Sequence, residues 1–125
     1  MNLLEECVRH LEYLGFGTAA DEERDGNLFY GRLPERDGVT VSVMASDAGV
    51  PGSGARLEIV VRAENDRDAF ETCDGIARAL DGFEGFLMGW GRRVSMRLIN
   101  GAHGLGADER RRALYACNVR VFYCS

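Results

Sequence analysis

Lysine is absent: all 15 basic residues of this 125-residue chain are arginine. Coding bias is the simpler account, and selection for forked, bidentate pairing at interfaces is the other. Acids outnumber bases by 20 to 15, leaving a net charge of −5, which argues against a dedicated nucleic-acid binder with its basic excess. No apolar run approaches a membrane span, and residues 1–14 are broken by Glu5, Glu6, Arg9, His10 and Glu12. Neither a signal peptide nor a membrane partner is expected from that pattern. The four cysteines, Cys7, Cys73, Cys117 and Cys124, form no C-x-x-C pair, so zinc and thioredoxin-like spacings are not suggested. A reducing compartment and free thiols are the expectation.

Catalytic signatures are equally scarce. There is no G-x-S-x-G elbow, and Ser53 sits in a PGSG loop rather than a strand-to-helix turn. His10 lies beside the apolar stripe of a helix and reads as a structural or surface residue. His103 lies among glycines near Asp108 and Glu109, without the further ligands at set spacing that a metal needs. The segment GWGRR (residues 89–93) is half of a phosphate loop, but no lysine and no helix follow, so it reads as a turn before a strand. Glu22 and Glu23 read as solvated charge. Cys117 and Cys124, seven apart, fall on opposite faces of one strand. The expectation is therefore no enzyme, no cofactor and no metal.

What remains is an ordinary folded composition, 46% apolar and 28% charged, in one domain spanning residues 1–125. Leu4, Cys7, Val8, Leu11 and Leu14 make one helical stripe, capped by Asn2 and ended by Gly15 and Gly17. Ala69, Cys73, Ile76, Ala77 and Leu80 make a second, capped by Asn65 or Asp66 and stopped at Gly82. Gly75 inside that helix suggests close approach to a strand. Alternation predicts strands around Val39–Val41–Val43, Leu57–Ile59–Val61, Met96–Leu98 and Tyr115–Cys117–Val119–Val121–Tyr123, with a short one at residues 28–33. Residues 27–46 read as a hairpin turning at Pro34 and Gly38. The last strand is long and apolar, which places it inside the sheet. Residues 47–54 and 101–112 read as exposed glycine-rich loops. The fold class is α+β: a mainly antiparallel sheet of five to six strands with two helices on one face, in the order α-β-β-β-α-β-β.

Two features carry interaction chemistry. The run DERRR places Asp108 and Glu109 beside Arg110, Arg111 and Arg112, a mixture suited to self-complementary or head-to-tail contacts. Trp90, the single tryptophan, stands near Arg92 and Arg93, the composition of an interface anchor. It equally suits single-stranded nucleic acid, and Trp90 equally suits a core position capping the sheet.

Taken in order, FYGRLPERDGVTVSV (residues 29–43), LEIVVRAEN (57–65), DAFETCDGIARALDGF (68–83), RLING (97–101), GLGADERRR (104–112) and NVRVFY (118–123) resemble a known family. The chain looks like the minor capsid and tail-terminator, or tail-completion, proteins of long-tailed bacteriophages and prophages. The resemblance implies an α+β subunit that forms a six-membered ring, caps the finished tail tube and presents a surface to the head connector. Its implied partners are itself, the tail tube protein and the connector, with DNA passing through a lumen it does not grip. Its implied location is the bacterial cytoplasm during assembly and then the virion tail. Its contact surfaces fall on loops, which here include Asp47, Val50 and His103 with the DERRR run. Another head–tail joining protein of the neck, or a small nucleic-acid-binding module, are the alternatives. The segment GFEGFLMGWG (residues 82–91) departs from the family pattern in its glycine and aromatic content.

Overall fold

The computed structural model describes residues 2–46 and 54–123. Helix α1 (Leu3–Tyr13) is started by Asn2, whose side chain accepts from the Glu5 amide at 2.8 Å. Such a cap is worth about 1 kcal/mol. The helix ends in a Schellman turn: Gly15 N–H donates to Glu12 O, Phe16 N–H donates to Leu11 O, and Gly15 takes φ +92°. Helix α2 (Asp66–Leu80) starts on Asn65, which accepts from the Asp68 amide at 2.9 Å, so Asn65 rather than Asp66 is the cap. A Cβ built on Gly75 would lie 3.4 Å from the Phe16 ring. The close neighbour is thus the turn after α1, not a strand.

The strands are β1 (Leu28–Tyr30), β2 (Gly38–Ser46), β3 (Gly54–Ala63), β4 (Glu84–Phe86), β5 (Arg93–Ala107) and β6 (Ala113–Tyr123). They form one sheet in the order β1-β2-β3-β6-β5-β4, so the apolar last strand does lie inside it. All neighbours are antiparallel except β1 and β2, which run parallel with Leu28 opposite Val39. The class is α+β, as the patterning predicts.

Two expectations are corrected. Residues 27–46 are not a hairpin: the chain leaves β1 at Tyr30, loops back through residues 31–37, and re-enters beside its own start. Gly38 permits this, because a Cβ there would lie 2.5 Å from the Asn27 carbonyl oxygen. Residues 101–107 are not a loop either but the far half of β5, still paired to β6 through His103, Gly104, Gly106 and Ala107. Register shifts after Leu98, Asn100 and Gly104 absorb the extra residues. Glycine inside a strand marks a bulge as readily as a loop, and composition alone does not separate the two. Only residues 108–112 remain as the turn.

Alternation then sorts the sheet. Val41, Leu57, Ile59, Met96 and Val119 meet Cys7, His10, Leu11 and Leu80 around one small interior void, so both helices cover the same face. Burying a side chain such as Leu57 or Ile59, each at most 2% exposed, stabilises by about 1.5–3 kcal/mol. Among the described residues the opposite face carries no helix. Among the described residues no helix is long and apolar enough to cross a membrane.

Candidate functional site

The DERRR run closes the β5–β6 hairpin, and its members divide sharply. Asp108 Oδ1 accepts from the Arg110 and Arg112 amides, each at 2.9 Å, which folds the turn back on itself. Its Oδ2 receives Arg112 Nε at 2.9 Å and lies 3.1 Å from Arg62 Nε on β3. Arg62 also donates to the Pro34 carbonyl, and Arg112 reaches Asp37 at 3.3 Å. Asp108 and Arg112 therefore pin the 31–37 loop and the hairpin to β3. Burial would raise the Asp108 carboxyl, but the two backbone donors and the Arg112 guanidinium win and hold it below its ordinary value. Glu109, Arg110 and Arg111 stay exposed at the tip, with Arg111 at φ +63°.

The tryptophan segment divides in the same way. Between β4 and β5 a 3-10 turn, Leu87–Gly89, precedes Trp90, which is 71% exposed. The core position for Trp90 is thereby excluded. Arg92 is bound to Glu6, a carboxylate only 6% exposed, through an ion pair and a 2.9 Å bond from its own amide. It also lies over the Tyr123 ring. Arg92 is therefore a structural tie between α1 and the start of β5, while Arg93 is exposed.

His10 holds the turn from beneath. Its Nδ1 accepts from the Met88 amide at 2.9 Å, and Met88 sits at φ +58°, a strained position for a side-chain-bearing residue. Nδ1 is therefore unprotonated, and the proton of the neutral ring is on Nε2, a buried atom with no partner among the described residues. Burial lowers the pKa of His10. The sequence offered no hint of this link, because the two residues are 78 positions apart.

His103 is exposed on β5, its Nδ1 2.8 Å from the Gly101 carbonyl, with only Asn100 and Gly101 lining the shallow hollow beside it. Asp47 and Val50 lie outside the described residues, as does the loop expected at 47–54 except for Gly54, which is buried at the start of β3. Cys7, Cys73 and Cys117 are buried thiols. Burial, then the adjacent Glu6 carboxylate, pushes Cys7 up to about 12 against the pull of Arg92. A thiol hydrogen bond to Cys117, then burial, raises Cys73. Cys7 and Cys73 are therefore protonated at neutral pH and poor nucleophiles, while the Cys73 hydrogen bond pulls Cys117 down. Among the described residues no group of three His, Cys, Asp or Glu is placed to hold a metal ion.

The structure adds an arrangement that sequence reading passes over. On the helix-free face, Arg56 of β3 stands opposite Arg120 of β6, and Arg120 stands opposite Arg97 of β5. Phe122 lies under the Arg120 guanidinium, 5.0 Å from carbon to ring centre. Alternation alone assigns each arginine to the solvent side of its strand. Their alignment in one row depends on register, which no single strand encodes. A scan against protein-family models finds no match to this chain, and a search of curated proteins finds no significantly similar relative.

Proposed function

We propose that this chain is a structural subunit that associates with itself head to tail into a closed ring, acting as a phage tail terminator. In that role it caps the tail tube, ends its polymerisation and joins it to the head connector, in the host cytoplasm and then in the virion. One observation carries the reading: three exposed aromatic side chains surround the turn at the β4 edge. Tyr13 is 65% exposed, Phe86 53% and Trp90 71%. The Tyr13 hydroxyl lies 3.6 Å from where a Gly89 Cβ would stand, so α1 and the turn present one patch. Clustered aromatic surface of this kind is the composition of a protein interface. The opposite edge of the sheet, β1, exposes Tyr30 instead, at 44%. Two unlike edges suit a heterologous contact, which closes into a ring when the rotation allows.

Trp90 makes the test direct, since it is the only tryptophan. With rising protein concentration, native mass measurement is expected to show a discrete closed oligomer and Trp90 emission to shift to the blue. Trp90→Ala is expected to weaken assembly at least tenfold while leaving the fold intact. A chain that stays monomeric at high concentration and fails to block elongation of tail tubes sinks the proposal. Assembly without tube capping moves the chain to another ring of the head–tail joint.

A further inference from the structure

We infer that the His10–Met88 contact is a proton-operated latch on the aromatic patch: neutral His10 holds the Trp90 turn in its assembling shape, and protonation releases it. The inference rests on the self-association reading above, because it names the regulation of that same patch.

Three observations carry it. The first is what the contact demands of the ring. Nδ1 of His10 accepts from the Met88 amide at 2.9 Å, so it holds the turn only while it carries no proton. A proton there sets a donor against a donor, and the bond is lost. Nε2 is buried without a partner among the described residues, so the charged ring gains no bond in exchange.

The groups around the ring do not offset that loss. On α1, Glu6 stands one turn before His10, and Cys7 and Tyr13 flank it. Glu6 is already engaged, with Oε1 accepting from the Arg92 amide and Oε2 facing Arg92 Nε. The side chains that β2, β3, β5, β6 and α2 bring to the void beside His10 are all apolar, Leu57, Ile59, Leu80 and Met96 among them. The Phe83 ring lies 4.7 Å away, centre to centre. Asp81 and Glu84, which flank Phe83 in the chain, are exposed, and Asp81 accepts from the Leu98 amide. Burial in these surroundings lowers the pKa of His10.

The second observation is an element with two states. Met88 sits at φ +58° within the Leu87–Gly89 turn. Such strain persists only where surrounding contacts over-determine the backbone, and the His10 bond acts at Met88 itself. Without that bond Met88 relaxes to an ordinary conformation, so the proton selects between two shapes of the turn.

The third is the connection from latch to patch. Trp90 follows the turn directly. Tyr13 stacks on the imidazole, with 6.0 Å between ring centres and 17° between planes. Its hydroxyl lies 3.6 Å from where a Gly89 Cβ would stand. His10 therefore touches the supports of both Trp90 and Tyr13. The released turn binds a proton more tightly than the held one, so falling pH favours release. Self-association accordingly weakens below about pH 6.5, as pH drops through the folded pKa of His10.

The test uses the full chain at a fixed concentration, followed from about pH 7.5 to about pH 5 by native mass measurement. Nuclear magnetic resonance resolves the two imidazoles, His10 and His103, and the single Trp90 indole. The association constant is expected to fall about tenfold or more across this window, with the Trp90 signal sharing the midpoint of His10. His10→Asn sets a neutral, non-titrating acceptor near the Nδ1 position. It is expected to assemble as the parent does at high pH and to lose the pH response. Should circular dichroism show His10→Asn unfolded, the midpoints in the parent decide alone. Unchanged assembly while His10 titrates overturns the inference and leaves the ring reading standing. A Trp90 response that follows His103 instead, or that persists in folded His10→Asn, overturns it as well. Loss of helical signal at the same midpoint means global unfolding and overturns a local release. A chain that is monomeric at every pH sinks the ring reading; the latch is then upheld or overturned by whether Trp90 follows His10.

Discussion

At the β5–β6 hairpin, two arginines converge on one carboxylate; across the middle of the open face, three arginines face one another. Both sets lie on the helix-free side of the same sheet. At the hairpin, Arg62 and Arg112 surround Asp108, all three mostly buried, and the charges hold three segments of chain together. In the row, no carboxylate among the described residues stands in register with the arginines, and Arg56 and Arg97 are open to solvent. The difference separates arginines that tie segments of the fold together from Arg56 and Arg97, which stand open to solvent. Sequence proximity gives the opposite ranking, because DERRR is conspicuous and the row is spread over 65 residues (Arg56 to Arg120).

The contrast is tested first at its strong end. Asp108→Ala removes the carboxylate that two largely buried guanidinium groups share and the acceptor of two turn amides. It is expected to lower the denaturant midpoint at constant m-value, more than any other substitution considered. An unchanged midpoint shows that the hairpin arginines are no more structural than the row.

The core offers an intermediate case, in which a buried ionisable group is held neutral instead of paired. The folded pKa of His10 lies below its ordinary value near 6.5, so in this window the unfolded chain binds the extra proton. Stability is therefore full above about pH 6.5 and falls as pH drops toward the folded pKa, by up to about 1.4 kcal/mol per unit. Protonation at Nδ1 also breaks the bond from Met88, so the turn bearing Trp90 is expected to loosen in the same window. Melting temperature measured from pH 7 to pH 5, alongside Trp90 emission, checks both. His10→Leu is expected to be less stable at pH 7 but flat across the window, and a slope equal to the parent's removes His10 as the cause.

The weakest effect is expected in the row. Arg97→Ala relieves a like-charge neighbour and is expected to change stability by no more than about 0.5 kcal/mol, in the stabilising direction at low salt. A loss of 2 kcal/mol or more would make the row part of the fold and erase the comparison.

Most of the architecture was legible because it rests on local periodicity. Both helices, their asparagine caps and the alternating strands follow from residues close in sequence. Two errors share one cause. The glycines of residues 101–107 and the Pro34–Gly38 turn look like loop and hairpin signals, yet pairing to β6 and a close approach to Asn27 turned them into a bulged strand and a parallel return. The candidate surfaces were half legible. Composition pointed to Trp90 and to DERRR, but it did not separate exposed Trp90 from Arg92 tied to Glu6, or the exposed tip from Asp108.

The sequence by itself determined the class: an α+β domain with the last strand inside the sheet and the helix stripes set against it, because apolar period alone sorts each side chain to a face. Tertiary structure decided the rest. Register aligned Arg56, Arg120 and Arg97; packing paired Glu6 with Arg92 and His10 with the Met88 amide. Each depends on groups far apart in the chain, whose meeting is governed by strand order and helix placement rather than by any local pattern.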